Sequence, residues 1–173
     1  MRKGQVWIET VLYTVIGLAI MGVILSIVKP SLDEKRDQLV LNQAVEILEG
    51  IDSQVQEVVH TGAGNARTVE VTLKKGKLAI DGMNNSVVFS MDSKYMLSEL
   101  GKEVSLGTIK VSTKERAKKS YVVTMTLDYR NYELTFKGED KEKELQSSST
   151  PYKVSVTNNG VLNEKTNVDF LVA

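Results

Sequence analysis

The sequence predicts an α+β protein: a long N-terminal helix, transmembrane in its first half, followed by an antiparallel β-sandwich-like head. Three observations predict it. No charged residue occurs from Thr10 to Val28. From Leu41 onward, apolar residues recur at alternating steps of three and four. After Arg67 the period falls to two, and turn residues interrupt the chain at short intervals. The first pattern suits a bilayer span, the second an amphipathic helix and the third a set of strands.

Composition narrows the function classes. The chain has 173 residues, with 22 basic and 22 acidic side chains and a formal net charge of zero, so no global field favours nucleic acid. There is no cysteine. A disulfide framework and a thiolate metal centre are therefore excluded. The single histidine, His60, leaves no His-rich metal cluster and little material for imidazole catalysis. No cofactor, metal site or catalytic residue is expected. Roughly 110 residues lie beyond the helical part, enough for one domain.

The apolar run from Thr10 to Val28 is about 19 residues, close to the ~20 needed to cross a bilayer. Lys29-Pro30 closes it, and no small-residue cleavage site follows, so the run is expected to stay on the mature protein. Arg2 and Lys3 precede the span and favour a cytoplasmic N-terminus. The basic flank after it, Lys29 to Arg36, is mixed with Asp33 and Glu34. The C-terminal part is read as extracytoplasmic. Gly17, Ala19, Gly22 and Ser26 are small residues that let helices approach closely in lipid, although such residues are common in any span. Trp7 and Tyr13 suit either an interfacial anchor or packing against neighbouring helices.

Glu9 sits at the mouth of this run, where a charge is costly and needs a reason. The arrangement Arg2-Lys3-Gly4, then Gln5, then Glu9 as the fifth residue after the glycine, then a long apolar helix, resembles the class III signal peptide of archaeal type IV pilin-like proteins. The resemblance covers Arg2 to Pro30. It implies a leader of residues 1–4, removed between Gly4 and Gln5 by a membrane-embedded prepilin peptidase. The residue patterns place a helix over 5–62 containing the span 10–28, and a β-rich head over 63–173 that is expected to be extracellular. Cutting before Gln5 creates an ammonium one helical turn from Glu9 and on the same face. An ammonium and a carboxylate are each costly in the membrane and tolerable together. In the family, that glutamate is thought to meet the new amine of a neighbouring subunit, which makes Glu9 an assembly and register device. The plain alternative is an interfacial glutamate reaching the headgroups.

Pro30 is expected to kink or open the helix at the membrane surface, because it cannot donate a backbone hydrogen bond and clashes with the preceding turn. The alternative is a helix that stops and restarts, with Ser31 as N-cap and Glu34 three residues on. The stripe Leu41, Ala44, Leu48, Ile51, Val55, Val58 should bury against the chain's own sheet, against other subunits, or both. Gly62-Ala63-Gly64 should end the helix. Strands are predicted at 68–73 and 77–81, as a hairpin around Lys74-Lys75-Gly76, and at 86–91 and 107–112. A second hairpin pairs 121–129 with 132–137 around Arg130-Asn131. Strands at 152–157 and 167–172, with a turn at Asn158-Asn159-Gly160, complete the set. Lys114 to Lys119 and Glu139 to Glu144 read as solvated loops, the first able to touch an acidic glycan or another subunit. Asn84-Asn85-Ser86 is an N-glycosylation sequon on a predicted turn.

Two functions fit. The first is a structural pilin subunit, processed after Gly4 and assembled with other copies through its N-terminal helix into a cell-surface filament for adhesion or motility. Its partners are the peptidase, other subunits and the membrane. The second is a membrane-anchored minor pilin-like or archaellum-associated binding protein of a surface apparatus. The head is more richly charged than filament-forming archaellins tend to be, which counts against an archaellin. An anchored enzyme has no catalytic set to support it.

Overall fold

A computed structural model of the chain describes residues 2–173, with side chains from Val6 onward. One helix, α1 (Arg2–Thr61), precedes ten strands: β1 (Ala66–Val71), β2 (Lys77–Asp81), β3 (Ser86–Ser93), β4 (Glu103–Leu106), β5 (Ile109–Ala117), β6 (Ser120–Asp128), β7 (Glu133–Phe136), β8 (Glu142–Gln146), β9 (Tyr152–Leu162) and β10 (Lys165–Val172). The chain divides into two compact units within α1, at Arg36/Asp37. The second half of the helix thus belongs with the strands.

In the second unit the strands form two sheets, ordered β1-β9-β10-β7 and β4-β5-β6-β3-β2-β8. The expected α+β architecture is present. Every strand pair is antiparallel except β10 with β7, which run parallel. The expected stripe of α1 is buried: Leu41, Leu48, Ile51, Val55 and Val58 are fully shielded and Ala44 nearly so. They join one core with Val154, Val156, Val168 and Phe170 of the smaller sheet and Leu78, Ile80, Phe89, Val111 and Met125 of the larger. The stripe therefore packs on the chain's own sheets.

Polar contacts fix the helix in this core. Asp37, four residues before Leu41 and on the same stripe, is buried; its carboxylate accepts from Lys75 Nζ at 2.6 Å and from the Lys94 backbone N–H at 2.7 Å. Asp52 accepts from the Tyr129 hydroxyl and from Thr108 Oγ1, both at 2.9 Å. Burial first, and then the Asp52 charge, push the Tyr129 phenol well above its usual range, so it stays a donor. At the helix end Gly62 takes the left-handed conformation (φ +97°) and donates to the Val58 carbonyl at 3.2 Å. Buried Asn158 donates to the same carbonyl at 3.0 Å.

That contact explains one correction. Asn158-Asn159-Gly160 is not a turn but part of β9. The turn is Asn163-Glu164, where both φ angles are positive (50° and 64°), as a two-residue type I′ hairpin requires. The two predicted hairpins do not form, whereas 152–157 and 167–172 pair antiparallel within β9 and β10. β1 pairs with β9, not β2, and the segment 72–76 crosses between sheets. Gly76 is obligatory there: with φ +83°, an added Cβ would lie 2.7 Å from the Ser90 carbonyl oxygen. β6 and β7 lie in different sheets, because neither Arg130 nor Asn131 adopts the positive φ a tight hairpin needs. Instead Tyr132 N–H closes a turn on the Tyr129 carbonyl, and the Asn85 side chain takes the Leu134 N–H at 2.7 Å. The true partner of β6 across a short turn is β5. The predicted loop Lys114–Lys119 is therefore mostly strand with a turn at 118–119, and Glu139–Glu144 already enters β8. β4, a four-residue edge strand with every side chain exposed, had no expected counterpart.

Leu48→Ala should lower the unfolding free energy by about 2–5 kcal/mol, against less than about 0.5 for exposed Leu39→Ala, in urea titrations of the full chain. A second expectation concerns acid. Hydrogen bonds from Arg130 and then Lys110 (3.0 Å) hold the Asp128 carboxyl well below the usual carboxylate range. A depressed carboxyl stabilises the fold above its unfolded value near pH ~4 and loses that effect as pH falls toward its folded value. Asp128→Asn should therefore be less stable than the parent at neutral pH, with the gap narrowing in melts taken at progressively more acidic pH.

Candidate functional site

The first unit, through Arg36, is helix, and its apolar surface is the most conspicuous feature of the chain. From Val6 to Val28 every side chain is exposed. Val6, Trp7, Leu12, Tyr13, Leu18, Val23, Leu25 and Ile27 each expose more than half of their surface. Burying one large apolar side chain is worth roughly 1.5–3 kcal/mol. Eight together approach or exceed the ~5–15 kcal/mol that stabilises a whole domain. A surface of this kind calls for lipid or other protein around it. The helix is long and apolar enough to cross a membrane.

The segment also meets the demand that lipid places on polar groups, which must find partners inside the protein. Thr10 Oγ1 donates to the Val6 carbonyl and Thr14 Oγ1 to the Thr10 carbonyl, each at 2.9 Å. Ser26 Oγ donates to the Val23 carbonyl at 2.7 Å. Three hydroxyls are thereby hidden within the helix's own backbone. Glu9 is the one charged residue between Val6 and Val28, and it lies exposed on the helix surface. An added Cβ at Gly17 or Gly22 would meet nothing within 4 Å, so both positions are open to a neighbour.

α1 runs through Pro30 without interruption. The stop-and-restart alternative, with Ser31 as N-cap, is not adopted. Pro30 still lacks the N–H that would reach the Ser26 carbonyl, so one helical hydrogen bond is missing there. The expected cleavage point falls at Gly4 and Gln5, whose side chains lie outside the described residues.

The remaining candidates lie apart from this segment in sequence. Exposed Asn84 sits in the β2–β3 turn, donating its backbone N–H to Asp81 Oδ1 at 3.0 Å and its amide to Asp81 Oδ2 at 2.6 Å. Ser86, the third sequon residue, is buried as the first residue of β3. His60 is exposed in the last turn of α1, where a cation suits the helix dipole. Among the described residues no three His, Asp or Glu side chains gather as a metal site. Asp37 and Asp52 escaped the sequence reading. For Asp37 the signal was its register, one step of four before Leu41; Asp52 breaks no pattern.

No protein family, curated protein or solved structure matches the chain.

If the segment spans a membrane, alkaline carbonate should leave the full-length chain in the membrane pellet. Leu18→Asp with Val23→Asp should move it to the supernatant. Each substitution costs about 2.5–3.5 kcal/mol at the centre of a span.

Proposed function

We propose that this chain is a structural pilin-like subunit, processed after Gly4 and assembled through its N-terminal helix into a cell-surface filament. The observation that carries this reading is the union of two features. Glu9 stands five residues after Gly4, behind two cations, and it opens a helix whose entire apolar surface from Val6 to Val28 is uncovered. A simple anchor needs the second feature but not the first.

In this reading the protein crosses the membrane once, with Arg2 and Lys3 on the cytoplasmic side and the β-rich unit outside. A prepilin peptidase cuts before Gln5 and exposes a new ammonium. Glu9 of one subunit pairs with that ammonium on its neighbour, and the pairing sets the axial step between helices. Apolar helix surface then passes from lipid to contact with other helices, where the open positions at Gly17 and Gly22 allow close approach. A mispaired register would leave a carboxylate and an ammonium each desolvated and alone, a penalty of several kcal/mol per ion. The role is architectural, and no reaction is assigned to the head.

Mass spectrometry of the native protein should find Gln5 as the first residue. A chain still beginning at Met1 would refute processing. Glu9→Ala should retain the protein in the membrane but remove it from sheared surface filaments. Undiminished incorporation would refute the register role. A protein that is processed yet never present in sheared filaments would instead be a minor or accessory component of such an apparatus.

A further inference from the structure

The second unit is electrically lopsided along its length. Asp37 begins it, and the Asp37 carboxylate holds Lys75 and the Lys94 backbone. α1 therefore enters at the end formed by the 72–76 link and the close of β3. The same end includes the β5–β6 turn, because Ser93 and Glu115 both stand opposite Tyr121. Five lysines gather here: Lys74, Lys94, Lys114, Lys118 and Lys119. All five are exposed, and none forms a salt bridge among the described residues.

Three acids near this end are already engaged with other cations. Asp37 pairs with Lys75 (2.6 Å), Glu144 with Lys77 (2.6 Å) and Asp92 with Arg116 (3.0 Å). Glu115 stands among these lysines without a salt bridge, and Glu46 and Glu70 line one cleft with Lys74. Glu70 lies opposite Lys153 in the β1–β9 register, and Glu99 is tied to Lys102 on the neighbouring edge. At the opposite end, by contrast, Lys110 and Arg130 share Asp128, and Lys165 faces Glu133. The zero net charge of the chain thus conceals a positive end.

We infer that this lysine-rich end is a docking surface for anionic lipid headgroups. It rests on the reading of Val6–Val28 as a membrane span. The occupant follows from connectivity and charge. Eight residues of α1, 29–36, separate Val28 from Asp37, so the chain between a span ending at Val28 and this end of the unit is short. Unpaired lysines on exposed turns lose little by facing headgroups, and their long stems let the ammonium reach outward. Exposed Met96, two residues past Lys94, adds an apolar side chain to the same rim. The docked state would hold the unit against the membrane before assembly and would be released as subunits leave the bilayer.

The test uses the full chain in vesicles. The absence of cysteine allows one label per variant: Ala117→Cys in the lysine-rich end, or exposed Val161→Cys near the opposite end, each carrying a fluorophore. Quenching by a soluble neutral quencher, acrylamide, is compared in phosphatidylcholine vesicles with and without phosphatidylglycerol. With the anionic lipid, quenching at residue 117 should fall about threefold, and about 1 M salt should restore it as the Debye length shrinks to about 3 Å. The label at 161 should not respond. Combined Lys114→Gln, Lys118→Gln and Lys119→Gln should abolish the effect.

Equal quenching in both lipids, with the chain still resistant to carbonate extraction, overturns the docking surface alone. Shielding that is independent of lipid charge and grows with protein density assigns this end to a second copy, which also overturns it. A chain that carbonate strips from the vesicles overturns the span and the docking surface together.

Discussion

Both sheets close on one face of α1, and that shared face organises the second unit. The stripe from Leu41 to Val58 repeats at steps of four and three, so its side chains stay on a single line along the helix. The smaller sheet supplies Val154, Val156 and Phe170 to this line, and the larger supplies Ile80, Phe89 and Met125. A two-sheet packing without the helix would have to bring these side chains together directly. With it, the sheets are bonded to a common rod by Asn158 from one side and Tyr129 and Thr108 from the other.

One helix thus meets two environments. In its second half the polar residues alternate with a buried stripe, and the buried polar groups have partners within the unit. In its first half the whole circumference is apolar, and the hydroxyls of Thr10, Thr14 and Ser26 are turned back onto the backbone. The two halves solve the same problem in opposite ways. One brings apolar surface to protein; the other carries it exposed and withdraws its polar groups.

Patterns that depend on neighbours along the chain were legible in the sequence. The uncharged run to Val28, the stripe from Leu41, the glycine stop at Gly62 and the turn at Gly82–Asn85 each rest on local geometry, and each is found. Strand pairing was not legible, because it depends on φ angles and distant partners. Arg130-Asn131 and Asn163-Glu164 look alike as two-residue connections. Only the second takes positive φ at both positions and returns the chain on itself. Asn158-Asn159-Gly160 has a turn composition, yet a helix carbonyl at Val58 claims the Asn158 amide and keeps the segment in β9. The assembly reading of Glu9 and Gly4 came from their spacing, and the folded unit adds the uncovered apolar surface beside it. The basic stretch Lys114–Lys119 was legible in sequence, but its meeting with Lys74 and Lys94 was not, since these come from separate parts of the chain.

The order of the strands has a consequence in time. β1 has β9 as its only ladder partner, and β7 has β10. The Asn158 amide meets the Val58 carbonyl across 100 residues of chain. The smaller sheet therefore cannot form until the last strands have been synthesised and delivered. Until then one side of the Leu41–Val58 stripe has nothing to cover it. Contacts this far apart in sequence form slowly, because a large loop must close before they can contribute. The apolar N-terminal helix is available from the first moments of synthesis. The chain is thus arranged to present its apolar N-terminal helix early and to complete its folded unit late, once the final strands have been made.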